Sequence, residues 1–186
     1  MTCFGYSSWG KFTSSRVASV LLSALMFLGL DVEMNGATRE SGLALTPQSS
    51  ARYQCGPTTL ASVLAYNGRP VPEATIAAAI YSPTAHGVLL TDLAWYARQA
   101  GFHTELRTGN LADLQNAVAD GLPPIVLLDV GFFGLQQPHF TAITAWDSDE
   151  VLILNTKPAG KWISRRKFEQ QWKLAGYQFL VIKPSS

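Results

Sequence analysis

The sequence predicts an α+β domain, with an N-terminal helical half packed on a C-terminal antiparallel β-sheet. Three observations favour this class. Apolar runs framed by helix start and stop residues occupy the first half of the chain, whereas short, β-rich apolar runs bounded by Gly, Pro and Asp follow residue 124. Strands that succeed one another without helices between them are joined by hairpins, and hairpins build antiparallel sheets. With 47% hydrophobic and 15% charged residues, the chain of 186 residues can also bury a sizeable core.

Four helices are predicted in the first half. Pro57 suits the first turn of the first helix, because the N–H that proline lacks has no partner there, and Asn67-Gly68 ends that helix. Gly101 ends the third helix in the same way. The predicted helices cover residues 58–66, 71–80, 91–100 and 111–119.

Four strands are predicted in the second half. Their sequences are rich in β-branched and aromatic residues, and turn-forming residues separate them. The turn between the second and third strands is predicted around Asp147. The predicted strands cover residues 125–130, 139–146, 151–154 and 177–183.

The N-terminal segment is typical of an export signal. Lys11 and Arg16 precede an uncharged apolar run over residues 17–30, which has the length of a signal-peptide core. Asp31 and Glu33 end this run short of the roughly 20 apolar residues that a membrane-spanning helix needs. The alternative interpretation is a buried N-terminal helix.

This segment sets the domain organisation that we expect. Residues 1–37 are predicted to be a signal peptide or short membrane anchor, and residues 38–186 one folded domain. The anchor would give the protein a possible membrane association.

Charge, cysteine and histidine content exclude several classes of function. Lys and Arg number 14 against 13 Asp and Glu, so no strong basic field is available to bind a nucleic acid. Cys3 lies in the N-terminal segment, which leaves Cys55 alone, without a disulfide partner or a second cysteine for zinc. His86, His103 and His139 lack the close spacing of zinc ligands on one helix. We therefore expect no nucleic-acid partner, no metal and no cofactor.

Cys55 is the residue best placed for nucleophilic chemistry. At a helix start its sulfur faces unpaired N–H groups and the positive end of the helix dipole, and both favour the reactive thiolate. Gly56 permits the close approach of a substrate backbone, and Pro57 fixes the turn. One alternative is a small, buried and inert apolar residue, the usual state of a free cysteine. Another is a redox-sensing thiol, although no resolving cysteine accompanies it.

A base for this thiol is predicted at His139, which begins a strand after Pro138. If the following turn is centred on Asp147, Asn155 lies directly opposite His139 on the same sheet face. The side-chain oxygen of Asn155 can then hold the imidazole N–H. The alternative is a strand-end histidine and a turn asparagine that have no relation to each other, and a slip of one residue would break the pairing.

Two stretches of the chain resemble a known family. Q-C-G-P-T-T-L-A-S-V-L-A-Y-N-G, which contains Cys55, and P-H-F-T-A-I-T-A-W, which contains His139, resemble the bacteriocin-processing, double-glycine type of cysteine peptidase, cysteine peptidase family 39. The resemblance extends over residues 47–186. It implies a papain-like fold, with Cys55 as nucleophile and His139 as general base and acid.

The resemblance also implies a third residue and an oxyanion donor. The third residue of the family is usually Asp, and Asn155 holds that place here, as in papain-type enzymes. The family uses a Gln upstream of the cysteine to donate to the oxyanion. Gln48 resembles that element at a slightly longer distance from Cys55, and Gln54 is the alternative.

The sequence thus favours a cysteine peptidase that hydrolyses peptide bonds through Cys55, His139 and Asn155 and a thioester acyl-enzyme. Acyl or peptidyl transfer by the same residues stays open, as does a non-catalytic domain of this fold that binds peptides or partner proteins. The expected partner is a peptide or protein substrate. The export signal predicts the bacterial periplasm or the outer face of the cytoplasmic membrane.

Overall fold

A computed structural model describes residues 42–47, 54–84, 87–157 and 160–185, which all belong to one compact unit, Arg39–Ser186. The predicted signal segment and Gln48 lie outside the described residues, so the predictions made for them are untested. Within the described ranges, no helix is both long and apolar enough to cross a bilayer.

The four helices predicted in the first half are present. Their boundaries follow local signals: Asn110 caps the fourth helix by accepting hydrogen bonds from the N–H groups of Ala112 and Asp113, and the side-chain amide of Asn67 donates to the Val63 carbonyl at the end of the first. The helices are α1, Cys55–Tyr66, α2, Glu73–Ile80, α3, Leu90–Gln99, and α4, Leu111–Ala119.

A single antiparallel sheet of six strands forms the other half of the fold in the described part of the chain. Its strand order is β1-β6-β2-β3-β4-β5, so β3 lies inside the sheet and the sequence-adjacent strands β2, β3 and β4 are also neighbours in space. The strands are β1, Phe102–Thr108, β2, Ile125–Asp129, β3, Pro138–Trp146, β4, Glu150–Ile153, β5, Lys161–Ser164, and β6, Gln178–Pro184.

Three elements were not predicted from the sequence: β1, β5 and a fifth helix, α5, Arg165–Leu174. Both strands form the edges of the sheet, and most side chains of β1 are exposed, so β1 shows no apolar alternation. The chain order is therefore not simply helices before strands, because β1 precedes α4 and α5 precedes β6. The α+β class itself is confirmed.

Both faces of the sheet are covered by helices. Neighbouring strand residues alternate between two cores, with Ile125 in one and Val126 in the other. Helices α1 to α3 cover the first face, which agrees with the predicted packing of the helical half on the sheet. Helices α4 and α5 cover the second face. The first core includes Leu60, Ile76, Leu93, Phe140 and Leu180. The second includes Leu114, Ile143, Phe168, Trp172 and Phe179.

Candidate active site

Cys55 is the first residue of α1, and its thiol is free and half-buried. Gln54 occupies the N-cap position, and among the described residues its side chain accepts no hydrogen bond from the first turn of the helix. The start of α1 therefore has no side-chain cap from Gln54. This agrees with the predicted helix-start position of the cysteine.

Gly56 is needed for packing between α1 and its neighbours. A Cβ atom at this position would lie 2.4 Å from Cγ2 of Val88 and 3.2 Å from Cδ2 of Phe140. The first separation is shorter than real Cβ contacts, so any larger residue would push α1 away from β3 or from the segment before α3. The structure thus gives Gly56 a packing role, and its role in making room for a substrate backbone stays a prediction.

Thr59 connects the start of α1 to the start of β3. Its buried hydroxyl lies 2.6 Å from the carbonyl oxygen of Cys55 and 3.3 Å from the carbonyl oxygen of Phe140, the residue after His139. With the Gly56 contact, this bridge fixes the backbone of Cys55 beside the backbone that carries His139. The structure thus places the backbone of Cys55 near that of Phe140, and the meeting of the Cys55 and His139 side chains stays a prediction.

His139 is the second residue of β3, and its partner in β2 is Leu128. Burial lowers the pKa of the His139 imidazole, and the positive charge of Lys161 lowers it further. Among the described residues, nothing forms a hydrogen bond with the ring. The lowered pKa favours the neutral ring at neutral pH, which is the form that can accept a proton.

The hairpin between β3 and β4 differs from the prediction. The N–H of Asp147 donates to the carbonyl of Glu150, so the turn spans four residues and is not centred on Asp147. Trp146 pairs with Val151, but the register shifts at an irregularity between Ile143 and Ala145, and Ile143 pairs with Ile153. The prediction that Asn155 lies directly opposite His139 is wrong, because a longer turn and this irregularity change the pairing.

Asn155 nevertheless stays close to β3 in the fold. The preceding residue, Leu154, donates from its N–H to the Ala142 carbonyl and accepts at its own carbonyl from the Thr141 hydroxyl. Continuing this register sets Thr141 opposite Asn155 and makes His139 a diagonal neighbour on the same face. The side-chain oxygen of Asn155 accepts from the backbone N–H of Thr156 at 2.7 Å. The hydrogen bond from the ring N–H of His139 to the side-chain oxygen of Asn155 therefore stays a prediction.

The remaining site candidates are the oxyanion glutamines. Gln48 lies outside the described residues, while Gln54 is half-buried directly before Cys55. Within the described ranges, no three His, Cys, Asp or Glu side chains cluster in a way that could hold a metal ion.

Sequence reasoning missed Thr59 and Lys161. Thr59 lies four residues after Cys55, but its second contact is 81 residues away in the chain, and no local pattern reveals such a contact. Lys161 begins the edge strand β5, which was not predicted, so its position relative to His139 was hidden as well.

The helices and the six-stranded antiparallel sheet form the α+β fold of papain-like cysteine peptidases. A sequence profile of the Peptidase C39 family matches residues 45–186, and the chain belongs to this family. Among curated proteins no match was found.

Solved structures support the same fold. The peptidase domain of Streptococcus ComA, a bifunctional ABC transporter involved in a quorum-sensing pathway, is 21% identical, with a TM-score of 0.62 over 77% of this chain and 99% of that one. A putative C39-like peptidase from Bacillus anthracis is 18% identical, with a TM-score of 0.67 over 79% of this chain and 100% of that one.

A third similar structure contains a bound peptide. It is a double glycine motif protease from an AMS/PCAT transporter in complex with the leader peptide, 17% identical, with a TM-score of 0.63 over 78% of this chain and 96% of that one. The predicted papain-like α+β fold and the predicted family are thus confirmed, and the chain is a cysteine peptidase by family.

Proposed function

We propose that the protein hydrolyses peptide bonds through a nucleophilic Cys55 and a general acid–base His139, with Asn155 as the orienting residue. The observation that carries the proposal is the Thr59 bridge, which ties the carbonyl of Cys55 to that of Phe140 next to His139. Two reactive side chains on separate elements need such a fixed junction to meet.

The chemistry follows from the two groups. The neutral imidazole of His139 takes the proton of the Cys55 thiol as sulfur attacks the peptide carbonyl carbon, which gives a tetrahedral oxyanion. The carbon–nitrogen bond then breaks, His139 returns the proton to the leaving amine, and an acyl thioester stays on Cys55. Water, deprotonated by His139, attacks the thioester, releasing the acid and restoring the thiol.

The oxyanion needs a hydrogen-bond donor. We propose Gln48 for this role, with Gln54 as the alternative next to the nucleophile. Loss of one such donor lowers turnover by about a hundredfold in related chemistry, so Gln48→Ala is expected to have that effect and Gln54→Ala a milder one. Measured turnover of the two variants in the reverse order would assign the role to Gln54.

Asn155 orients without adding charge. An aspartate in its place would add a negative charge that stabilises the imidazolium form of His139. An asparagine adds no charge, so burial and Lys161 determine the shift, and both lower the pKa of His139. His139 is therefore expected to be neutral before attack and to accept the thiol proton as the sulfur attacks.

A non-catalytic peptide-binding domain is the second candidate. One observation favours it: the Asn155 side-chain oxygen is engaged by Thr156, and so does not depend on His139 for a partner. Transfer of the acyl group to an amine instead of water is a third outcome of the same chemistry, and product analysis separates it from hydrolysis.

The substrate class that we propose is a peptide with a double-glycine cleavage site. Support comes from the similar protease that was solved with its leader peptide. We also propose that the domain works after export, because residues 17–30 form an apolar core behind Lys11 and Arg16. Fusion of residues 1–37 to a reporter that is active only outside the cytoplasm tests the export proposal, and an inactive fusion would refute it.

The catalytic proposal is tested by incubating the full chain with a library of Gly-Gly peptides and identifying products by mass spectrometry. Cleavage is expected to disappear in Cys55→Ala and to persist in Cys3→Ala, which removes the other cysteine of the sequence. Peptide binding without cleavage by the unaltered chain would instead favour the binding domain.

A further inference from the structure

The hairpin that joins β2 to β3 carries three exposed apolar side chains at its end. Phe132 is 66% exposed, Phe133 98% and Leu135 70%. We call these three residues the apolar tip. Clustered apolar side chains on a surface commonly mark an interaction site, whereas single exposed ones need no explanation.

The apolar tip is held by an ordered hairpin end. One carboxylate oxygen of Asp129 accepts hydrogen bonds from the N–H groups of Gly131 and Gln137, each at 2.9 Å. These two bonds also lower the pKa of Asp129. Within the loop, the N–H of Leu135 donates to the carbonyl of Phe132 at 3.1 Å. The tip is therefore presented in a defined shape.

The backbone conformation at Phe133 favours a residue other than phenylalanine. Phe133 has φ of 51°, in the left-handed region that Gly and Asn adopt more readily than a bulky aromatic residue. Its ring packs edge-on against Phe132 at a centroid distance of 5.7 Å, yet both rings stay in solvent. A strained and exposed aromatic residue gives no packing benefit to this chain alone, so it points to a binding role.

The composition of the loop favours a peptide over a membrane. Residues 128–138 contain one charged residue, Asp129, and neither Lys nor Arg. Segments that bind the surface of a bilayer usually combine apolar side chains with basic residues that attract anionic lipids. An uncharged apolar peptide side chain needs no such basic residue.

The position of the tip indicates which part of a peptide it meets. In the proposed reaction His139 gives its proton to the leaving amine, so the residues after the cleaved bond pass the strand end that carries His139. Leu135 lies four residues before His139 in the same hairpin, and at about 3.3 Å per residue this is about 13 Å. An extended peptide covers that distance in about four residues.

We propose that the apolar tip binds an apolar side chain of the substrate about three to five residues beyond the cleaved bond, on the amine side. The occupant is the peptide substrate because the tip is continuous with the strand end that carries His139. This inference rests on the proposed function for the direction of the peptide.

The test uses two fluorescent Gly-Gly peptides that differ only at the third to fifth residues after the Gly-Gly, Leu-Phe-Leu in one and Ser-Ser-Ser in the other. Binding is measured by anisotropy with full-length chain carrying Cys55→Ala, and kcat/KM is measured with Cys55 present. We expect the affinity and the kcat/KM for the apolar peptide to exceed those for the serine peptide about tenfold or more, as burial of one apolar side chain gives. We call this factor the peptide ratio.

Variants of the tip identify its contribution. Phe133→Asn, which suits the backbone conformation, and Leu135→Ser should bring the ratio close to one, while Phe133→Leu should keep most of it. Leu174→Ser is the matched control, because Leu174 is 68% exposed on another element and should leave the ratio unchanged.

Several results would overturn the proposal. One is a peptide ratio near one in the parent chain, and another is no binding of either peptide. The third is a peptide ratio that the tip variants do not change. If Phe133→Asn leaves the peptide ratio unchanged but abolishes binding to phosphatidylcholine vesicles, the tip binds a membrane. If it instead abolishes self-association in sedimentation, the tip binds a second copy of the chain. If binding follows the tip but the unaltered chain cleaves nothing, the proposed function fails and the docking site stands.

Discussion

The two sides of the candidate site are built in different ways. The junction between α1 and β3 is fixed from within the core, by the buried hydroxyl of Thr59 and by the close contact at Gly56. The segment that carries Asn155 is fixed by backbone hydrogen bonds as far as Leu154, and beyond it the side chain of Asn155 bonds to its own neighbour, Thr156. Core packing thus fixes the backbone at the proposed nucleophile and base, while the proposed orienting residue depends on a turn and on solvent-facing contacts.

Removal of the Thr59 bridge should have the largest effect on the packed side. Thr59→Val keeps the shape of the side chain and removes its hydroxyl, which should cost about 1 kcal/mol in the free energy of unfolding. Because small misplacements of reacting groups are costly, we expect turnover to fall by about tenfold or more. Thermal unfolding and peptide cleavage assays measure the two effects.

Ser62→Ala is the matched control for this change. Ser62 is also buried in α1, but its hydroxyl bonds to the Thr58 carbonyl within the same helix. A similar loss of stability with unchanged turnover is expected. If both variants lose turnover equally, the bridge acts through general stability and does not position the site.

Changes at Asn155 should have a smaller effect. Asn155→Ala is expected to lower turnover several-fold with little effect on the fold, because the imidazole of His139 becomes free to rotate. Asn155→Asp should keep activity, since a carboxylate also accepts from the ring N–H. Steady-state kinetics of the two variants measure this, and unchanged turnover in Asn155→Ala would leave a Cys55 and His139 dyad.

The smallest expected effect is a change in pH dependence at Lys161. Burial and then the charge of Lys161 lower the pKa of His139, so removing the charge in Lys161→Gln should raise that pKa towards its usual value. His139 must be neutral to accept the thiol proton. The acidic limb of kcat/KM should therefore move to higher pH, with little change at the plateau. Lys167 is exposed on α5, and Lys167→Gln should leave the pH profile unchanged. An unchanged pH profile in Lys161→Gln as well would contradict the charge effect.

The same division explains what the sequence could predict. Helix α1, the strand at His139 and the fold class follow from local signals such as Pro57 and Asn67-Gly68, and they agree with the structure. The hairpin register after Asp147 could not be predicted from local signals, because turn length and a strand irregularity depend on contacts between β3 and β4 that no local pattern encodes.

Edge elements were missed for a related reason. Strand β1 exposes most of its side chains, and its pairing is supported by contacts such as the 2.5 Å hydrogen bond from Lys183 to Glu105. Helix α5 had usable signals, since Ser164 caps it and Phe168 and Trp172 lie four residues apart on its buried face. Its low apolar content hid those signals.

We propose that the α1–β3 junction brings His139 to the thiol of Cys55. The most direct test is the rate of alkylation of Cys55 by iodoacetamide between pH 5.5 and about 8, followed by peptide mass spectrometry in the full chain, with Cys3 as the internal reference. We predict that Cys55 reacts at least about tenfold faster than Cys3 near pH 6 and loses this advantage in His139→Ala. Equal rates for Cys55 in the unaltered chain and in His139→Ala would contradict the claim.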